Sequence, residues 1–212
     1  MESPTNMAAP LFPVFIKLAD RRCLVVGAGE IALAKVFSLL LAGARITVVA
    51  PEAKSAIREL ARTGRLTWEK RKYQPSDLGG AFLAIAATTN FALNHEVFTE
   101  ADRRGILCNA VDDPPNCDFY FPAVVRRGDL QIAISTTGES PAFAQKLRRA
   151  LENALDLNIG DWLAAIGKIR REILAAHPPS EARKRALHLL ANGGAPDSNE
   201  TQSVSAHTAH TL

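Results

Sequence analysis

The stretch from Cys23 to Glu52 constrains the fold more than any other. Cys23, Leu24, Val25 and Val26 run straight into Gly27-x-Gly29-x-x-Ala32, and residues 33–42 then carry helical spacing. Arg45-Ile46-Thr47-Val48-Val49-Ala50 forms a second β-rich run that ends at Pro51-Glu52. Strand, glycine turn, helix and strand in that order are the fingerprint of a dinucleotide-binding unit in the context it requires. Gly27 permits a tight exit from the strand, and Gly29 lets backbone N–H groups approach a pyrophosphate. Ala32 stands where a third glycine is usual and still allows close packing of helix on strand. The helix N-terminus then offers aligned N–H dipoles to the phosphates. The bland alternative is an empty turn that uses glycine for geometry alone.

The same alternation continues downstream. Residues 53–62 have helical spacing and stop at Gly64, and Leu66-Thr67-Trp68-Glu69 alternates as a strand. Residues 74–80 carry Pro, Ser, Asp and two Gly, which predicts a loop. The apolar run 82–87 is of strand length and ends in Thr88-Thr89-Asn90; a helix over 91–104 and a strand over 106–111 follow. Repeated β–α units imply parallel strands with right-handed crossovers. Residues 11–113 are therefore expected to form a Rossmann-type, doubly wound α/β domain with strand order 3-2-1-4-5 and the cofactor across the carboxyl ends of the strands.

At Asp112-Asp113-Pro114-Pro115-Asn116 the alternation stops. A hairpin is expected next, with strands over 119–125 and 130–135 and a turn over 126–129. Ser140 can cap a helix over 142–155, with Pro141 in its first turn. Two further helices, 159–176 and 181–190, flank His177-Pro178-Pro179. One hairpin and three helices make a thin core, so residues 114–150 are expected to be a dimerisation and substrate region completed by a second subunit, with 151–192 a helical C-terminal part. Residues 1–10 and 193–212 have the composition of disordered tails.

Composition excludes several function classes. A net charge of +3 in 212 residues is too small and too scattered to argue for nucleic acid. No apolar run reaches the roughly 18 residues a membrane span needs, and residues 1–10 lack the pattern of a signal peptide. Cys23, Cys108 and Cys117 show no CxxC spacing, which favours reduced structural thiols and a cytoplasmic setting. The five histidines are scattered, without the spacing of a permanent metal site, and no GxSxG or Walker sequence occurs.

Among groups that can do chemistry, Asp112 stands first, at the carboxyl end of the fifth strand, where a carboxylate can accept or relay a proton while hydride leaves for the cofactor. The alternative is a simple strand-ending turn, a role that suits Asp113 better. Glu52 lies just over twenty residues past the last fingerprint position and can accept from ribose hydroxyls; with no arginine directly after it, NAD is favoured over NADP. A solvated helix start explains it as well. Thr88 either lines the cofactor cleft or helps cap the next helix. Arg126, with Arg127, Lys146, Arg148 and Arg149, can receive a polyanion or simply stand in water.

Taken together these residues resemble the siroheme-synthesis module, precorrin-2 dehydrogenase that is often also sirohydrochlorin ferrochelatase. The likeness spans residues 11–190. It rests on Phe12-Pro13-Val14-Phe15, on Val25-Val26-Gly27-Ala28-Gly29-Glu30-Ile31-Ala32-x-x-Lys35, and on Leu41-x-Gly43-Ala44-x-x-Thr47-Val48-Val49-Ala50-Pro51-Glu52. It continues through Ala84-Ile85-Ala86-Ala87-Thr88, Cys108-Asn109-Ala110-Val111-Asp112, Phe119-x-x-Pro122-Ala123 and Ile132-Ala133-Ile134-Ser135-Thr136-x-Gly138-x-Ser140-Pro141-Ala142. The resemblance implies NAD contacts at Glu30, Ile31, Pro51 and Glu52 beside Gly27 and Gly29. It makes Asp112 the carboxylate for dehydrogenation and for chelation, and puts Ser135, Thr136, Ser140 and Arg126 near the substrate. It further implies a homodimer interlocked through the hairpin and following helix, precorrin-2 and sirohydrochlorin as substrate and product, and Fe2+ as a second substrate. Two departures stand out. Thr137-Gly138 replaces a pair of glycines that the family often has, so the loop is expected to be stiffer. Larger members add a methyltransferase domain, for which this chain is expected to be too short. An NAD-responsive sensor module and a dehydrogenase for a small hydroxy acid are the rival classes; the second expects a His or Lys acid/base that is not obviously placed.

Overall fold

The computed structural model describes residues 10–193, so all but the innermost residue of each expected tail, and His207 and His210 with them, lie outside the described residues. The chain divides into two compact units between Phe121 and Pro122.

The first unit is built on five parallel strands: β1 Arg22–Val26, β2 Arg45–Val49, β3 Thr67–Glu69, β4 Leu83–Ala86 and β5 Leu107–Ala110. Their order is β3-β2-β1-β4-β5, as the β–α alternation predicts. Helices α1 Glu30–Leu41, α2 Ser55–Arg62 and α3 Phe91–Arg103 make the crossovers. Both faces of the central strands are covered, which is why β1 and β4 read as unbroken apolar runs. Cys23, Val25, Leu83 and Ile85 join Val36, Leu39 and Ile57 in one core. Leu24, Val26, Ala84 and Ala86 face the other way, against Val97, Ala101 and Leu78. The expected loop at 74–80 tightens into a 3-10 turn, Pro75–Leu78, because Asp77 accepts from the Gln74 N–H (2.9 Å) and holds a bidentate bond from Arg71 (2.6 and 2.8 Å).

The second unit holds the hairpin β6 Ala123–Arg127 and β7 Leu130–Ile134, then α4 Pro141–Ala154, α5 Ile159–Ala176 and α6 Glu181–Asn192. Gly128 takes a φ of 55 at the first central position of the two-residue turn, the position where a type II′ hairpin calls for glycine. The first hairpin strand starts four residues later than its sequence suggests. Aromatic residues 119–121 look like strand formers, but their segment is drawn back along β5 instead. The Asp118 N–H donates to the Cys108 carbonyl (2.8 Å), the Asp118 carboxylate accepts from the Cys108 N–H (2.8 Å), and Asn109 donates to the Phe119 carbonyl (2.8 Å). Among the described residues of this unit only Ala123, Val125 and Ala144 are fully buried apolar side chains. α5 and α6 bury none of their residues.

Candidate functional site

The carboxyl end of the parallel sheet gathers most of the expected cofactor residues. β1 exits at Gly27, whose φ of 104 suits only glycine. Its N–H donates to the Val49 carbonyl (3.0 Å), and a Cβ there would stand 2.4 Å from the Ala87 carbonyl oxygen. Gly29 is the N-cap of α1 and supplies no side-chain cap; a Cβ on it would meet nothing within 4 Å. The first N–H groups of α1 therefore face open space without a capping side chain, an arrangement that receives a pyrophosphate. Glu30, in the first turn, pairs with Lys54 from the start of the next crossover, and Ile31 beside it leaves about half its surface in solvent.

The facing wall comes from β2, from the segment after β3, and from the loop after β4. A cleft of about 520 Å³ is lined by Gly27, Pro51, Lys72, Tyr73, Thr88 and Glu96, among others. Thr88 is held by Asn94, a buried residue of α3. Its hydroxyl donates to Asn94 Oδ1 (2.7 Å), and Asn94 Nδ2 donates back to the Thr88 carbonyl (3.1 Å). Capping of α3 falls to Asn90, whose Oδ1 accepts from the Leu93 N–H (3.1 Å). Glu52 is exposed in the bend after β2 and is not among the cleft-lining residues. Lys72, Tyr73 and Glu96 went unseen in the sequence, since nothing local marks a residue two elements away as part of this wall. Among the described residues the buried Tyr73 hydroxyl has no partner, and burial pushes its pKa up to about 12. The uncapped amides, the bare Gly29 and the cleft together fit a dinucleotide.

Past β5, the Val111 N–H still donates to the Ala86 carbonyl (2.9 Å), and the next residue, Asp112, adopts a left-handed φ of 61. Asp113 is the turn residue: its N–H donates to the Ala110 carbonyl (3.2 Å) and its carboxylate accepts from Asn116 (2.6 Å). The Asp112 side chain is exposed, and among the described residues it makes no hydrogen bond and no ion pair. The turn is clamped from below by the Cys117 thiol, which donates to the Ala110 carbonyl (3.0 Å). Burial pushes the Cys23 and Cys108 thiols up to about 11 and 12 and raises Cys117 as well, so all three are protonated and poorly nucleophilic at neutral pH.

Lys35 reaches the same region from α1. Its Nζ lies 3.8 Å from the centroid of the Phe121 ring, and Phe119 packs against Phe121 with centroids 5.6 Å apart. Burial pushes the Lys35 ammonium below the usual lysine range, and the charges of Asp112 and Cys117 act in the opposite sense.

In the second unit, Ser135, Thr136 and Ser140 share the loop between β7 and α4. Ser135 Oγ accepts from the Thr137 N–H (3.1 Å), Thr136 Oγ1 from the Ser140 N–H (3.2 Å), and Ser140 Oγ caps α4 at the Phe143 N–H (3.2 Å). Of the basic residues, Arg127 and Arg148 are both engaged with Glu152, whereas Arg126 stands exposed on β6.

A family model for NAD(P)-binding domains matches residues 14–123, and one for the central region of sirohaem biosynthesis proteins matches residues 127–154. A solved structure titled SirC, precorrin-2 dehydrogenase, superposes with a TM-score of 0.72 at 30% identity, over 85% of this chain and 88% of that one. The chain belongs to the family of SirC, precorrin-2 dehydrogenase. Siroheme synthase of Photorhabdus laumondii is 43% identical over 161 residues, 76% of this chain and 34% of the relative. That of Methylococcus capsulatus is 40% identical over 172 residues, 81% and 36% respectively. This chain thus spans about a third of the length of these siroheme synthases, and the two family models meet close to the boundary between its two units.

Proposed function

We propose that the chain oxidises precorrin-2 to sirohydrochlorin with NAD, in siroheme biosynthesis. The observation that carries this reading is Asp112. Its carboxylate is free and exposed at the carboxyl end of β5, in the sheet whose β1 end bears the glycine turn. The nicotinamide, when bound, accepts a hydride; the balance of the reaction is one hydride and one proton lost from the macrocycle. Asp112 takes that proton, directly or through water. Gly27, Gly29, Pro51 and Thr88 hold the dinucleotide, with Glu30 and Ile31 at the start of α1. Glu52 accepts from the adenosine ribose. Lys54, a nearby cation able to meet a 2′-phosphate, is already paired with Glu30, which favours NAD over NADP.

Arg126 and the loop of Ser135, Thr136 and Ser140 orient the carboxylated tetrapyrrole. The chain works as a homodimer built through residues 114–150, a reading supported by the small number of buried residues in the second unit. Its three free cysteines suit the reducing cytoplasm, and among the described residues no helix is long and apolar enough to cross a membrane. Iron insertion into sirohydrochlorin is the second step we assign to the same site, with Fe2+ as substrate and Asp112 removing pyrrole protons.

The test is anaerobic incubation with precorrin-2 and NAD, following NADH and the tetrapyrrole spectrum, with Fe2+ added afterwards. Joint growth of NADH and sirohydrochlorin is expected, then a spectral shift on iron that outpaces a protein-free control. NAD binding without turnover would replace this reading with a sensor module.

A further inference from the structure

Lys35 is a half-buried ammonium that, among the described residues, has no ion pair and no hydrogen bond. Lysine stems commonly lie along apolar surface with the charge carried out to water. Here the ammonium itself rests on the Phe121 ring, between α1 and the segment that follows β5. An aromatic face stabilises a cation and does not replace a counter-ion. Two nearby carboxylates are held elsewhere: Asp113 by Asn116, and Asp118 by the backbone of β5. Asp112 acts on Lys35 at longer range, without a hydrogen bond between them. A ligand that brings its own negative charge would give the half-buried ammonium the counter-ion it lacks among the described residues.

We infer that Lys35 binds a carboxylate of the substrate, through a charge-assisted hydrogen bond that fixes the macrocycle beside Asp112. The inference rests on the reading of the substrate as a carboxylated tetrapyrrole. Lys35 sits in the second turn of α1, beyond the uncapped N–H groups that receive the pyrophosphate, so its ligand is not the dinucleotide. Phe121 keeps the ammonium in place until the substrate arrives.

The test compares wild type with Lys35→Met, Lys35→Gln and Lys35→Arg. It uses three readouts: KM and kcat for precorrin-2 at saturating NAD, binding of sirohydrochlorin by its absorbance without NAD, and NAD binding by calorimetry. Lys35→Met and Lys35→Gln are expected to raise KM for precorrin-2 and Kd for sirohydrochlorin about tenfold, the size of one charged hydrogen bond. Lys35→Arg is expected to restore most of that loss, NAD affinity is expected to stay unchanged, and added salt should narrow the gap between variants. The inference is overturned if either neutral variant binds sirohydrochlorin like wild type, or if the loss appears in NAD affinity. It also falls if kcat drops with KM unchanged. Should Lys35→Met fail a thermal-melt check, Lys35→Gln, which keeps a polar end on the stem, decides alone. A wild-type protein that neither turns over precorrin-2 nor binds sirohydrochlorin would overturn the functional reading itself, whereas an active wild type with indifferent variants overturns only the role of Lys35.

Discussion

Asp112 pairs an unusual backbone with an unencumbered side chain. A left-handed φ costs most residues about 1–2 kcal/mol, and asparagine bears it as easily as aspartate. Asp112→Asn therefore removes the charge while leaving the turn intact. We expect turnover to fall about 10²–10⁴-fold, the usual worth of a general base, with NAD affinity and melting temperature preserved; equal losses in turnover and NAD affinity would mean that the residue shapes the cofactor cleft instead. Gly27 presents the opposite case, where geometry leaves no freedom. An alanine there meets the Ala87 carbonyl at 2.4 Å on a backbone of positive φ, so Gly27→Ala should cost about 2–4 kcal/mol by denaturant melt and abolish NAD binding. The thiols offer a simpler check. With Cys23 and Cys108 buried and raised to about 11 and 12, iodoacetamide at neutral pH should label neither in the native protein and both once it is unfolded.

Elements here are tied down by polar groups at their ends. The 3-10 turn Pro75–Leu78 is organised by buried Asp77, which Arg71 grips through both oxygens while the Gln74 N–H donates to one of them. Arg71 holds the Asp77 carboxyl below the usual carboxylate range. A depressed carboxylate stabilises the fold at pH values above its unfolded pKa of about 3.9 and loses that contribution as pH falls through its lower folded value. Stability by urea midpoint should therefore hold down to about pH 4 and then decline. Asp77→Asn should lower it by about 1–3 kcal/mol at neutral pH and flatten that acid slope, a modest figure because Arg71 is partly solvated. This turn also shows what a local reading misses. The five strands and their order follow from apolar runs covered on both faces, and α5 follows from its periodicity. Asp77 looked like ordinary loop polarity, because its arginine lies outside the loop and only the folded chain brings them together. Residues 119–121 misled in the same way: their aromatic character suits a strand, while the bonds that claim them come from β5. The glycine turn, and the place of Asp112 just past β5, were legible because each occupies a fixed position in a β–α unit. Lys35 was visible only as one letter of a motif, since its neighbours Asp112, Cys117 and Phe121 are about eighty residues away in sequence.

For the molecule as a whole, the second unit lacks the core to stand alone. A two-stranded hairpin needs packing against other elements to persist in water, and among the described residues it shares only three buried apolar side chains with α4. Meanwhile α4 leaves Phe143, Leu147 and Leu151 between about a third and a half exposed, at positions i, i+4 and i+8 along one face. A stripe of that spacing is what a helix buries against a partner, and a second copy of the same chain offers the same stripe by symmetry. Fully burying an exposed leucine contributes about 1.5–3 kcal/mol; these side chains are already half or more buried, so the stripe adds a fraction of that per residue and the rest of residues 114–150 supplies the remainder. Leu147→Asp puts a charge in the middle of the stripe at a position that already tolerates solvent, so the protomer should still fold. We expect light scattering to give a dimer for wild type and a monomer for Leu147→Asp. The wild-type melting temperature should rise with protein concentration, because dissociation is coupled to unfolding, while that of the variant should not. A wild-type protein that stays monomeric at concentrations where its melting temperature no longer changes would show that this stripe is covered by something other than its own copy.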